Sequence, residues 1–200
     1  IGLVTDGGQG MATANNGRFI GVRSNTKDAT RIRQTRIEKL AAFNAQYHCN
    51  YEIPNDEFEV WELFEALKEK YGRDIFGQGY LYKIVPDDLL ADLSSLTNEE
   101  KESGILGNKT FVPYDKGDKD GNRWYLETPF AIAWSKENVH FLKTDPKARY
   151  QGYSFYFREG FCWNNILNPE ARLLKVKLKK ASVNDVGSMS LMPICPLTPC

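Results

Sequence analysis

Gly7-Gly8-Gln9-Gly10-Met11-Ala12-Thr13-Ala14-Asn15-Asn16-Gly17-Arg18-Phe19-Ile20 is a glycine-rich loop that runs into an apolar pair. Glycines let a backbone approach another surface closely. Asn and Arg side chains match phosphate oxygens and base edges. No Gly-Lys-Ser/Thr follows the glycines, so the loop is not a phosphate-binding P-loop. It precedes a strand rather than a helix, which argues against the dinucleotide-binding turn of a doubly wound sheet. It holds no acid–base pair with which to do chemistry. It therefore reads as a binding loop, and the rest of the chain as the scaffold that aims it.

Residues 1–4 read as the end of a strand entering the loop, and 18–23 as a strand leaving it. Lys27–Tyr47 reads as a helix whose apolar face is Ile37, Leu40, Ala41, Asn44 and Tyr47. Arg31, Arg33 and Arg36 spread round more than one face of it and read as solvated. Asn55-Asp56 caps a second helix, Glu57–Tyr71, with Val60, Leu63, Phe64, Leu67 and Tyr71 as its buried stripe. Glu59, Glu62, Glu65 and Glu69 form its wet face, and Gly72 ends it. Residues 81–85 read as a strand before Pro86, and 87–96 and 98–103 as short acidic helical turns. Residues 28–104 thus read as an acidic helical unit inserted into a β-rich remainder.

That remainder resumes with a strand at 110–114. The Lys116-Gly117-Asp118-Lys119-Asp120-Gly121-Asn122 run carries an Asp-Gly hairpin signal and returns as a strand at 123–127. Residues 130–134, 139–142, 153–158, 161–163 and 172–178 are further strand candidates. From Leu174 the sequence alternates apolar residues with Lys175, Lys177 and Lys179, the period of a half-exposed strand with a cationic outer face. Trp124, Tyr125 and Trp163 read as core aromatics. The expected fold class is α+β, with mixed or antiparallel sheets and the helical insertion. One domain over 1–192 is expected, followed by a flexible tail at 193–200, and the whole is expected to be a fragment of a larger chain.

The 200 residues hold 26 Lys/Arg and 26 Asp/Glu, so the net charge is zero. Neutrality hides an asymmetry. Residues 18–40 and 141–182 are rich in Lys and Arg, whereas 52–104 hold fourteen acids against five bases. Cys49, Cys162, Cys195 and Cys200 form no Cys-x-x-Cys pair, and only His48 and His140 are histidines. Neither a zinc site nor a disulfide framework is expected, and a reduced, cytoplasmic setting is the default. There is no apolar run long enough to cross a membrane. No catalytic constellation emerges.

The chain resembles the target recognition domain of adenine-specific (N6) DNA methyltransferases, of the type found in fused type II restriction–modification enzymes and phage-defence methylases. Four stretches carry the likeness in order. Met11-Ala12-Thr13-Ala14-Asn15-Asn16-Gly17-Arg18-Phe19 resembles the family's opening G-x-x-T-x-x-N-x-R-F loop. Phe111-Val112-Pro113-Tyr114-Asp115-Lys116-Gly117 with Asn122-Arg123-Trp124-Tyr125 is similar to its P-[FY]-x-K-G … R-x-W-Y segment. Arg158-Glu159-Gly160-Phe161-Cys162-Trp163-Asn164-Asn165-Ile166 is similar to R-E-G-[IV]-T-W-[ST]-x-I, and Val186-Gly187-Ser188-Met189-Ser190-Leu191 to the closing x-G-S-x-x-[IF]. Cys162 stands where the family tends to have Thr, and Asn164 where it has Ser or Thr. The acidic unit has no counterpart in the likeness.

The resemblance implies a domain that holds double-stranded DNA and reads its major groove. An N-terminal catalytic methyltransferase domain of the same chain would bind S-adenosylmethionine and methylate a flipped adenine. No cofactor and no metal are expected in this region. The DNA-binding candidates are Thr13, Asn15, Asn16 and Arg18 in the loop. Lys116 and Lys119 follow as phosphate clamps, with Asn122. Arg123 and Arg158 suit guanine or phosphate, and Asn164 and Ser188 complete the set. A competing expectation is a protein-interaction module that uses the acidic unit as its face.

Overall fold

The structure of the protein, a computed structural model, describes residues 6–77, 80, 82–116, 128–163, 176–184 and 188–190. Its strands are β1 (Asp6–Gly8), β2 (Ile20–Arg23), β3 (Lys83–Val85), β4 (Phe111–Asp115), β5 (Phe130–Ala133), β6 (Arg158–Trp163), β7 (Val176–Asn184) and β8 (Ser188–Ser190). Its helices are α1 (Asn16–Phe19), α2 (Lys27–Tyr47), α3 (Glu57–Tyr71), α4 (Asn98–Ser103) and α5 (Lys136–Thr144). The fold is α+β. The strands form one mixed sheet in the order β1-β8-β6-β7-β4-β5-β2-β3, with parallel pairs at β2·β3 and β4·β7 and antiparallel pairs elsewhere. Among the described residues no helix is long and apolar enough to cross a membrane.

The opening loop is anchored in the main core rather than draped over it. Met11, Phe19 and Ile20 are buried with Val112, Ile132 and Trp134. Each such side chain contributes about 1.5–3 kcal/mol when removed from water. Asn15 caps α1, its side-chain oxygen accepting the Arg18 amide at 3.1 Å. That cap turns 16–19 into a helical turn, so the strand expected over 18–23 begins only at Ile20.

α2 and α3 begin and end where the sequence places them. Thr26 and Asp56 accept amides of the first turns, and Gly72 closes α3 with its N–H on Lys68 O. The buried face of α2 differs from the expected one. It comprises Ala29, Ile32, Arg36, Leu40 and Phe43, while Ile37 is 51% exposed. A charged residue, Arg36, lies in the middle of that stripe, which is why apolar spacing misassigned it. Its guanidinium donates to Tyr82 O at 2.8 Å and Tyr80 O at 3.4 Å, and its other terminal nitrogen lies 3.7 Å from Glu57 Oε2. Desolvation pushes Arg36 down to about 10, and Glu57 works against that fall. Arg33 also pairs with Glu57, whereas Arg31 pairs with Asp28 at the surface. β3 emerges from this helical stretch and pairs in parallel with β2, so the stretch adds an edge strand to the main sheet.

Two expected strands take other forms. Residues 139–142 belong to α5, where Ser135 accepts the Asn138 amide and Val139 and Leu142 share a buried helical face. Tyr153–Phe155 form a 3-10 turn, and Gly152 (φ 69°) and Phe157 (φ 58°) on either side take left-handed backbone that interrupts an extended run. The expected strands at 1–4 and 123–127, the hairpin tip after Lys116, Trp124, Tyr125, Lys175 and the tail lie outside the described residues.

Candidate functional site

The loop's polar residues are organised by one turn. Thr13 is 2% exposed, and its hydroxyl donates to Asn16 Oδ1 at 2.8 Å. Ala14 takes a left-handed φ of 57° and turns the chain so that Ala14 and Asn15 face solvent. Gly17 is buried inside the turn. Thr13 is thus a support, Asn16 a half-buried partner, and Asn15 the exposed tip.

Arg18 leaves the turn and lies on α5. Its guanidinium carbon is 4.1 Å from the Phe141 ring centroid and 5.1 Å from that of Phe19. One terminal nitrogen is 3.7 Å from Glu137 Oε1, with the two side chains 38% and 86% exposed. The stacking fixes the direction of the side chain and contributes about 0.5–1 kcal/mol at such a site. The exposed ion pair contributes less than about 1 kcal/mol. Arg18 is therefore aimed by aromatic rings and only loosely neutralised, which suits a cation that exchanges a carboxylate for a phosphate or a base edge.

A second segment clamps the loop from the side. Ala12 and Arg149 exchange backbone hydrogen bonds of 2.8 and 3.1 Å, and Gln151 Nε2 donates to Gly10 O at 3.0 Å. Gly152 is required at this crossing. A Cβ there would lie 2.1 Å from Gln9 O, and its φ is left-handed. Arg149 is exposed beside the loop and was not singled out by sequence, since its place depends on this distant pairing.

The remaining candidates divide. Ser188 opens β8, in register with Gly8 of β1 on one side and Cys162 of β6 on the other. Arg158 is exposed at the start of β6, opposite Ser182 and beside a register irregularity. Lys116 is half-buried at the end of β4, its ammonium 5.9 Å from the Tyr82 ring centroid, two strands away from β6. Lys119, Asn122, Arg123 and Asn164 lie outside the described residues. The structure thus gathers Thr13, Asn15, Asn16 and Arg18 into one feature, joins Ser188 to its base, and sets Lys116 apart.

Next to Lys116, Asp115 is 4% exposed and accepts the hydroxyls of Thr128 and Ser182, each at 2.6 Å. The Ser182 bond fastens β4 to β7, and the Thr128 bond ties β4 to the chain entering β5. The side chain of Asn184 is fully buried on β7 with neither amide atom hydrogen-bonded, while its carbonyl accepts the Met11 amide at 3.0 Å. β7 therefore holds the loop through backbone as well as packing. Among the described residues no group of three or more His, Cys, Asp or Glu side chains is arranged to hold a metal ion.

A cleft of about 660 Å³ lies between α4, the end of α5 and the start of β6. Tyr150, Tyr153, Tyr156 and Phe157 line it together with Lys101, Lys143 and Arg158. The signal that could have found it is the three-residue spacing of Tyr150, Tyr153 and Tyr156. Burial pushes the Tyr150 phenol up to about 12 and the Tyr156 phenol higher still. The Tyr156 hydroxyl donates to Gln151 O at 2.6 Å, which ties the cleft to the segment that clamps the loop.

Comparison of the chain with protein-family models, with curated proteins and with solved structures found no match in any of the three.

Proposed function

We propose that this chain is a sequence-specific binder of double-stranded DNA, the target recognition domain of an N6-adenine DNA methyltransferase or restriction–modification enzyme. The observation that carries the proposal is that two of the four motif stretches pair at Ser188, beside the strand that enters the opening loop. This residue is in register with Gly8 at the base of the opening loop and with Cys162 of the Arg158–Trp163 strand. Stretches far apart in sequence thus become neighbours, as expected if they serve one surface. Further along the same loop, Asn15 is an exposed hydrogen-bonding tip and Arg18 an aromatic-backed cation.

In this reading Asn15 and Arg18 address base edges, and Arg149 and Arg158 the backbone. Asn16 and Thr13 hold the tip in shape. S-adenosylmethionine and the methyl transfer belong to an N-terminal catalytic domain of the parent chain, and the setting is cytoplasmic. The test is fluorescence anisotropy of a labelled mixed-sequence duplex over a series of salt concentrations. Affinity should fall linearly in log–log form, with a slope of about −0.9 for each phosphate neutralised. Absence of binding at the lowest salt would contradict the proposal.

A second reading rests on α3. Glu59, Glu62 and Glu69 are exposed along it, beside a shallow cleft of about 600 Å³ where the Trp61 indole N–H is buried without an acceptor. A basic protein partner would suit that face. Charge reversal at Glu62 and Glu69 should then abolish capture of the partner and leave duplex binding intact.

A further inference from the structure

The cleft beside α5 contains a ladder of aromatic rings that runs from the core to the surface. Trp134 is fully buried, and its ring lies 24° from that of Tyr150, with centroids 6.3 Å apart. The Tyr150 ring in turn lies 14° from that of Tyr153, with centroids 6.0 Å apart. Tyr156 closes the inner side edge-on, at 87° to Tyr150. The outermost rung, Tyr153, is 66% exposed, so the ladder ends on an open aromatic face.

Cations flank this face. Lys143 Nζ is held by Glu102 O at 2.8 Å and lies 5.3 Å from the Tyr150 ring centroid. Lys101 and Arg158 line the same cleft with one acid, Glu102, so cations outnumber acids there three to one. Its volume, about 660 Å³, falls within the range of about 300–1,000 Å³ typical of small-ligand sites. An aromatic step beside two or three cations matches a planar, anionic ligand. A nucleotide has both features, a base to extend the ladder and a phosphate for the lysines. A base inside a duplex is covered on both faces by its neighbours, so only an unstacked one can occupy the step.

We propose that the Tyr153 cleft receives an unpaired nucleotide of the bound DNA, with its base on Tyr153 and its phosphate toward Lys101 and Lys143. This rests on the DNA-binding reading given above. The cleft and the reading loop share a scaffold, since Arg18 lies on Phe141 and Lys143 comes from the same helix.

The test compares two labelled duplexes of one sequence, fully paired or carrying a single bulged thymine, by anisotropy with the full chain. The bulged duplex should bind about tenfold more tightly. Tyr153→Ala should erase that difference and leave the paired duplex unchanged, and Tyr153→Phe should keep it. Tyr153 is largely exposed, so neither substitution disturbs the core. Equal affinity of the wild-type chain for both duplexes would overturn this assignment while sparing the DNA-binding reading. So would a preference that survives Tyr153→Ala, or a loss that falls equally on both duplexes. Failure to bind either duplex would overturn both.

Discussion

Asn15 accepts the Arg18 amide and also stands at the exposed tip of the loop, so substitution can separate the two roles. Asp is as good a helix cap as Asn but repels phosphate. Asn15→Asp should keep stability within about 0.5 kcal/mol by urea denaturation and reduce duplex binding sharply. Asn15→Ala should lose about 1 kcal/mol of stability as well. Arg18 offers the converse experiment. Glu137 competes for it through an exposed ion pair, so Glu137→Gln should tighten duplex binding about two- to fivefold, measured by anisotropy. Arg36 has no part in binding. Arg36→Met leaves the Tyr80 and Tyr82 carbonyls with a donor fewer, and should cost about 1–3 kcal/mol of stability without changing DNA affinity.

At the scale of elements, the loop is held by a crossing strand of chain at Gly152. Gly152→Ala would set a Cβ against the Gln9 carbonyl and force a left-handed φ on alanine. We expect a loss of at least about 1–3 kcal/mol in denaturation, with duplex binding weakened because the loop can no longer seat on Arg149. The sequence was informative where capping and periodicity acted locally. Asp56 and Gly72 mark the ends of α3 by their own chemistry, and α2 and α4 match the helical spans read at 27–47 and 98–103. It misled where an interaction is distant. Arg36 is buried because Tyr80, Tyr82 and Glu57 await it, which no local pattern discloses. Residues 139–142 look like a strand because four residues cannot distinguish periods, whereas the Ser135 cap decides for a helix. At the site, Thr13, Asn15, Asn16 and Arg18 were legible as a polar cluster. That Thr13 is buried, and that Arg18 stacks on Phe141, required the fold. Arg149 takes its place only through the pairing of its segment with the loop, and the tyrosine ladder shows in the sequence only as a three-residue spacing.

For the whole molecule, the sheet joins the basic ends of the chain and carries the acidic helix α3 on its β3 edge, while α4 packs against α5. Its phenols give a global readout of that assembly. Tyr80 and Tyr150 are pushed up to about 12, chiefly by burial, from an ordinary value of 10, and Tyr156 shifts in the same direction. A group whose proton is held more tightly in the folded state favours folding fully below its unfolded value. That contribution is lost as the pH climbs toward the folded one. The phenols' contribution to stability should therefore hold up to about pH 10 and decline from there toward pH 12, partly offset by Arg36, whose lowered value acts in the opposite direction over that window, and tyrosinate absorbance should rise together with unfolding. We infer that this scaffold presents a loop that reads duplex sequence, and selection from a randomised duplex library measures that reading. Retention at low salt followed by washing at moderate salt should enrich one defined sequence, and the enrichment should vanish with Arg18→Ala. Recovery of unenriched random duplexes, or of none at all, would contradict the account.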